Sequence, residues 1–128
     1  MRLKQVSVFL ENSPGHLKRA CEAFANAGIN LETVTIAESN SFGVLRAIAD
    51  KPDAAVDALA KIGLAAKLVD VLAIEVEDRP GALVEVLKKA EAADLNIEYM
   101  YALTKGSAGK PVMVMRFSDV DKAERVMQ

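Results

Sequence analysis

The chain repeats itself with a spacing of 66 residues, and this duplication restricts the fold more than any other feature of the sequence. VSVFLENSPGHLKRACEAFANAGINLE at 6–32 aligns with LAIEVEDRPGALVEVLKKAEAADLNIE at 72–98, and the apolar pattern agrees even where identities are lost. A repeat of this kind is one supersecondary unit, because the same local pattern has to fold in the same way twice. The sequence therefore predicts two similar α/β units in tandem.

Each copy has the same order of predicted elements. Alternating apolar residues such as Val6, Val8 and Leu10 predict a strand with one buried face. A Pro-Gly turn follows, and apolar residues at i, i+3, i+4 and i+7 then predict a helix. Two strands joined by a short turn, at 39–41 or 106–109, and a second helix complete β-α-β-β-α. This order is typical of an α+β fold of ferredoxin-like βαββαβ units, each an antiparallel sheet with two helices on one face.

The predicted helices have recognisable ends. The first helix of copy one should end at Gly28 and its counterpart at Asp94, since both residues accept a left-handed backbone, glycine more readily. The second helices are predicted at 52–62, where a proline begins the helix, and at 121–127. Four helices are therefore expected, two in each copy.

The two copies are expected to differ at their final strand. Copy one closes with a fourth strand in AAKLVDV at 65–71, which should run nearly straight into the first strand of copy two. Copy two ends at Gln128 inside its second helix and lacks the last strand. Either its open edge pairs with another chain, or a natural tail has been lost. We expect a first domain at 1–70 and a second domain, truncated after helix two, at 71–128.

Composition argues against several classes of partner. The sixteen basic and eighteen acidic residues are scattered, so no basic stripe for nucleic acid is present. One cysteine and one histidine allow neither an internal disulfide nor a zinc site, and we expect no metal and no cofactor. No apolar run is long enough to span a membrane and no signal peptide is recognisable, so we expect a cytoplasmic protein. Units of roughly 60 residues bury little surface alone, so we expect a homodimer.

The strongest local signal for function is a turn that occurs twice, as NSPGHL at 12–17 and as DRPGAL at 78–83. Glycine lets the backbone approach a ligand closely, and the free N–H groups at a helix start attract a carboxylate. A small anionic or zwitterionic ligand therefore fits the turn. The alternative is that Pro-Gly only makes a tight connection between strand and helix, since a duplicated structural turn would repeat as well.

The pattern [D/N]-x-P-G-x-[L/I/V], followed by a helix and an Asn near the next strand, resembles the signature of the ACT domain, a module that binds amino acids. The resemblance covers both copies, apart from the absent final strand. It implies a ligand that lies between two paired domains, against the turn after strand one and the start of strand two. The implied ligand-binding residues are Asn12, Ser13, Pro14, Gly15, His16, Leu17 and Asn30 in copy one, and Asp78, Arg79, Pro80, Gly81, Ala82, Leu83 and Asn96 in copy two.

The resemblance also implies a role for each group. Backbone N–H groups near Gly15 and Gly81 would hold the ligand carboxylate, while the side chains of Asn30 and Asn96 hold its amino group or orient the turn. The residues that open the two turns, an Asn and an Asp, bind the ligand or instead cap the helices. The ligand would bind at one of the two turns or at both.

The function that the resemblance implies is regulatory and not catalytic. An amino acid would bind at the domain interface and modulate a partner enzyme or pathway of amino-acid metabolism. The alternative is a ligand-free assembly module, or a regulatory subunit of an amino-acid biosynthetic enzyme such as acetolactate synthase. We expect no enzymatic activity, because His16 has no nucleophile or carboxylate partner in a recognisable motif and Cys21 lies on the apolar stripe of its helix.

Overall fold

A computed structural model describes residues 1–103 and 110–127 of the chain. These residues form six strands and four helices, in the order that the repeat predicts. The elements are β1 (Arg2–Glu11), α1 (His16–Asn26), β2 (Leu31–Ser39), β3 (Phe42–Ala49), α2 (Pro52–Lys61), β4 (Ala66–Glu75), α3 (Ala82–Ala92), β5 (Ile97–Leu103), β6 (Val112–Phe117) and α4 (Val120–Met127).

The chain divides into two compact units, and the first consists of Lys4–Val69. Its strands lie in the order β2-β3-β1, and both pairs are antiparallel. One face of this sheet carries alternate residues of β1, and the helices α1 and α2 pack against them through Phe24 and Leu59. The buried cluster comprises Val6, Val8, Leu10, Ala20, Phe24, Ile29, Leu45, Ala49, Ala55, Ala58 and Leu59.

The second unit consists of Met1–Leu3 and Asp70–Gln128. Its strands lie in the order β4-β6-β5 with antiparallel pairing, and α3 and α4 pack against each other. The buried cluster comprises Leu72, Ile74, Ala90, Leu95, Met115, Phe117, Ala123 and Met127. The predicted α+β fold of two ferredoxin-like units is therefore confirmed.

The edge of β4 that was predicted to be open is occupied by the first residues of the same chain. Met1 and Ala73 exchange both backbone hydrogen bonds, at 3.0 and 2.8 Å, as directly opposed residues of antiparallel strands do. Arg2 donates hydrogen bonds to Asp70 at 2.6 Å and to Asp121 at 2.7 Å, so it joins β4 to α4. Met1–Leu3 thus lie where a last strand was expected. At Ala73 this edge is therefore covered by the chain's own first residues, through a pairing between distant segments that leaves no mark in either segment's sequence.

The ends of the helices agree with the sequence prediction. Gly28 and Asp94 have φ angles of 71° and 55°, which is the left-handed conformation predicted for both. In each case the next residue donates its N–H to the carbonyl five residues earlier, at 2.9 Å from Ile29 and 2.8 Å from Leu95. This is the hydrogen bond of the Schellman motif, and it satisfies carbonyls that the helix leaves free.

The connection between the two copies is also as predicted, since β4 is one continuous strand from Ala66 to Glu75. The predicted turn at 106–109 lies outside the described residues. Among the residues that are described, none of the helices combines the length and the apolar character that crossing a lipid bilayer demands.

Candidate functional site

Each Pro-Gly turn ends in a glycine that begins the following helix. Gly15 is the N-cap of α1 with φ 91°, and Gly81 is the N-cap of α3 with φ 85°. An added Cβ would meet no heavy atom within 4 Å at either position. Glycine is therefore favoured here by the positive φ, which L-residues rarely adopt, and not by a close neighbour within the chain. The space beside each glycine is open.

The backbone of the two turns follows the same course. In the first turn, the N–H of Ser13 donates to Glu11 O at 3.0 Å and that of His16 donates to Ser13 O at 3.4 Å. The second turn repeats these bonds from Arg79 and Ala82, at 3.0 and 3.3 Å. No side chain caps either helix, both of which lie wholly within the described residues. The cap role considered for the residues that open the turns, Asn12 and Asp78, is wrong, since both lie three positions before the N-cap.

The start of α1 offers a favourable place for an anion. The N–H groups of the first turn of a helix have no partner within the helix, and the macrodipole adds partial positive charge there. The first turn of α1 contains no acidic residue, whereas that of α3 contains Glu85. The two helix starts therefore differ in charge although their backbones agree.

The side chains of the first turn form a loose arrangement. His16 Nε2 lies 3.2 Å from Glu11 Oε2, and both side chains are substantially exposed. The N–H of Asn12 donates to Ser41 O at 2.8 Å, which ties the turn to the connection between β2 and β3. The first turn is therefore anchored through its backbone, and its polar side chains remain open to solvent.

The side chains of the second turn are engaged with one another. Arg79 Nε donates to Glu77 at 2.6 Å, and its terminal nitrogen donates to Glu85 at 2.7 Å. The guanidinium lowers the pKa of Glu77 through the hydrogen bond and its charge, and the two carboxylates raise the pKa of Arg79. A ligand carboxylate at this turn would have to compete with Glu85 for Arg79.

Asn30 and Asn96 hold equivalent places in the two units, but at the far end of the helix. The backbone N–H of Asn30 donates to Asp50 Oδ1 at 3.0 Å, and that of Asn96 donates to Ser118 Oγ at 3.3 Å. Helix α1 has 11 residues, so Gly15 and Asn30 are separated by about 16 Å along its axis. Within one unit, the turn and the Asn do not contact the same small ligand.

The remaining residues of the predicted site surround the turns. Ser13, Pro14 and Pro80 are exposed, whereas Ala82 is buried. Leu17 and Leu83, the last residues of the two repeated turn motifs, are 42% and 36% exposed.

Three clefts in the described part of the molecule are relevant to the predicted site. One, of about 450 Å³, lies between α1 and α2, and half of its lining residues are alanines. A second, of about 420 Å³, includes Asn96. The third, of about 490 Å³, was missed by sequence reasoning and is lined by Phe9, Ser39, Asn40, Ser41, Phe42 and Val44. Its signal in the sequence is Phe9, an apolar residue at a strand position that faces away from the core.

Cys21 does not have the environment of a nucleophile. Its side chain is partly buried on α1, and this burial raises the pKa of the thiol, which disfavours the reactive thiolate.

Residues 1–128 match the family described as ACT domain pair. A search among curated proteins finds no match. Among solved structures, protein BT0572 from Bacteroides thetaiotaomicron is 40% identical, with a TM-score of 0.90 over 98% of this chain and 86% of that chain.

More distant structures share the fold. The regulatory subunit of aspartate kinase from Thermus thermophilus, in a ligand-free form, is 18% identical, with a TM-score of 0.68 over 97% of this chain and 87% of that chain. E. coli aspartokinase III, in complex with lysine and aspartate in the T-state, is 16% identical, with a TM-score of 0.55 over 100% of this chain and 30% of that chain.

Proposed function

The chain belongs to the ACT domain pair family, and from this premise we propose that it is a regulatory amino-acid sensor without catalytic activity of its own. Binding of the amino acid would modulate a partner enzyme or pathway of amino-acid metabolism. A coupling free energy of about 1–3 kcal/mol between ligand and partner is enough for such regulation. The protein is proposed to act as a homodimer.

The observation that carries the proposal is the backbone of the two Pro-Gly turns. Gly15 and Gly81 take up the same positive φ at the start of a helix, with open space beside each Cα. Such a helix start binds a carboxylate through N–H groups and the macrodipole, whatever side chain the ligand carries. The α-carboxylate is the group that all amino acids share. A solved structure of the same fold supports the proposal, since E. coli aspartokinase III was crystallised in complex with lysine and aspartate.

The first turn is proposed as the stronger of the two sites. The first turn of α1 has no acidic residue, whereas Glu85 at α3 already pairs with Arg79. A ligand carboxylate near α3 would therefore meet a negative side chain that competes for the same cation. The two turns share a backbone conformation but carry different side chains. This difference supports one working site at the first turn and a weaker site at the second.

The test is a thermal-denaturation panel of the full chain with each of the twenty amino acids. A ligand present at about a hundred times its dissociation constant stabilises the folded state by about 2.7 kcal/mol. We expect at least one amino acid to raise the midpoint, and calorimetry then gives its affinity. If none of them raises the midpoint, the sensor proposal fails.

Three variants locate the site. Gly15→Asp places a carboxylate beside the first helix start and should abolish binding, while Gly81→Asp should have a smaller effect. The matched control is Gly28→Asp, because Gly28 has a φ of 71° with no atom near its Cβ and lies after α1, at the end of that helix opposite to Gly15. It introduces the same charge and a similar backbone strain. Loss of binding in the control as well would show that strain, and not the turn, is responsible.

A second candidate function is a ligand-free assembly module. It is favoured by β2, an edge strand of the first unit, on which Val34 and Ile36 are more than 40% exposed. Exposed apolar residues on an edge strand are typical of a surface that pairs with another chain. Sedimentation of Val34→Lys against wild type tests this candidate, since the charge should dissociate an assembly that forms through β2.

A further inference from the structure

We propose that the cleft lined by Phe9, Phe42, Val44 and residues 39–41, here called the Phe9 cleft, binds the side chain of an amino acid with a branched aliphatic or aromatic side chain. The proposal rests on the proposed function for its choice of an amino acid as the ligand. It deepens that function by naming the class of side chain and the residues that select it.

The Phe9 cleft arises from the register of β1 and β3. Phe9 lies opposite Val44, and Glu11 lies opposite Phe42. Neighbouring residues along a strand point to opposite faces, so Phe9 points away from the core that contains Val8 and Leu10. Phe9 and Phe42 are 68% and 56% exposed. Three apolar side chains therefore share the face of the sheet that α1 and α2 leave uncovered.

The size and rim of the cleft suit a small amphipathic molecule. Its volume of about 490 Å³ lies within the usual range for ligand pockets, about 300–1,000 Å³. Ser39, Asn40 and Ser41 provide a polar rim next to the apolar floor. The carbonyl of Ser41 accepts the N–H of Asn12, so this rim is tied directly to the first Pro-Gly turn. An apolar body and polar groups can thus be accommodated side by side.

The second unit lacks this apolar surface. The residue 66 positions after Phe9 is Glu75, which lies opposite Val112 in β6 as Phe9 lies opposite Val44 in β3. Its carboxylate is 3.9 Å from Lys110 Nζ. Two units with the same backbone therefore differ at this place, apolar in one and charged in the other. If the fold itself required apolar residues at this position, both units would have them. The apolar residues of the first unit therefore point to a role other than folding.

The exposed area argues for a small ligand and against a second copy of the chain. An aromatic side chain has about 200 Å² of surface, so two rings exposed to this extent present roughly 250 Å². A stable protein interface buries about 800 Å² on each partner. The Phe9 cleft is too small for a dimer interface on its own, but it is large enough for one apolar side chain.

The test uses ¹⁹F NMR of the full chain labelled with 4-fluorophenylalanine. The chain has four phenylalanines, and Phe24 and Phe117 are fully buried, so they serve as internal references for Phe9 and Phe42. The probes are L-leucine and L-phenylalanine, the polar L-serine and L-glutamate, and 4-methylpentanoate, which is leucine without its amino group. We expect saturable shifts of Phe9 and Phe42 with the apolar probes only.

Variants test how much Phe9 contributes to the affinity for the apolar probe. Phe9→Ser removes a largely exposed ring, so the fold should be retained. The affinity for the apolar probe should fall about tenfold, because the side chain of the probe then remains in contact with water. Val84→Ser is the matched control, since Val84 is an exposed apolar residue on α3, remote from the cleft in sequence and in the other unit. Its affinity should equal that of wild type.

Each other outcome is decisive. If no probe shifts Phe9 or Phe42, the proposed cleft is refuted. If their shifts change with protein concentration before any probe is added, a second copy covers the cleft and the proposal is wrong. An amino acid that raises the thermal midpoint without shifting either ring would refute the cleft and leave the sensor function standing. Shifts with 4-methylpentanoate alone, without stabilisation by any amino acid, would support the cleft and refute the sensor function.

Discussion

Replacing Asp94 by glycine should stabilise the protein, and the reverse change at the equivalent position, Gly28→Asp, should destabilise it. Both residues end the first helix of their unit in a left-handed conformation, with φ of 55° at Asp94 and 71° at Gly28. Both are followed by the same Schellman hydrogen bond. An added Cβ at Gly28 would meet nothing within 4 Å, so the substitution there adds no steric clash and leaves only backbone strain and charge.

The magnitude follows from three contributions. A left-handed L-residue costs about 1–2 kcal/mol, and Asp, which tolerates this conformation, lies at the lower end. A carboxylate at the C-terminus of a helix costs about 0.3–1 kcal/mol through the macrodipole. Against these gains, glycine makes the unfolded chain more flexible, which costs about 0.4–1 kcal/mol. The net stabilisation by Asp94→Gly is about 1 kcal/mol, or about 3–5 °C in the thermal midpoint for a chain of this size.

The assay is urea and thermal denaturation followed by circular dichroism, together with ¹⁹F NMR of Phe24 and Phe117. These two rings report on the unfolding of the first and second unit separately, since each lies in the core of one unit. Asp94→Asn separates the contributions, because it removes the charge and keeps a side chain that tolerates positive φ. A midpoint that falls in Asp94→Gly, or that stays unchanged in Gly28→Asp, would refute the reasoning from backbone strain.

Two further predictions concern titratable side chains. Arg79 lowers the pKa of Glu77, so the ion pair stabilises the fold above the ordinary carboxyl pKa, and this stabilisation is lost as the pH falls through the lowered value. Between pH 6 and pH 3 the thermal midpoint of wild type should therefore fall further than that of Arg79→Ala, and equal falls would contradict the role of the pair. Burial raises the pKa of Cys21, so iodoacetamide at pH 8 should alkylate the folded protein more slowly than the chain in urea. Equal rates would show that the thiol is not shielded.

The local features of this fold were determined by the sequence itself. Periods of two and 3.6 residues predict strands and helices because they report which side chains one element buries. The left-handed ends at Gly28 and Asp94 followed from the low steric cost of positive φ for these residue types. The position of each Pro-Gly turn between a strand and a helix was predictable for the same reason, since its signals lie within a few residues of chain.

Only the tertiary structure decided which distant segments lie together. Met1–Leu3 pair with β4 at Ala73, and Phe9 and Phe42 share one face of the first unit, through pairings whose partners lie far apart in the sequence. The separation of Gly15 from Asn30 likewise follows from the length of α1 between them. Backbone hydrogen bonds join strands through groups that nearly all residues possess, so pairing and register depend on how the whole unit buries its apolar surface. The duplicated turn could be recognised in the sequence, but the apolar cleft beside its first copy required the folded sheet.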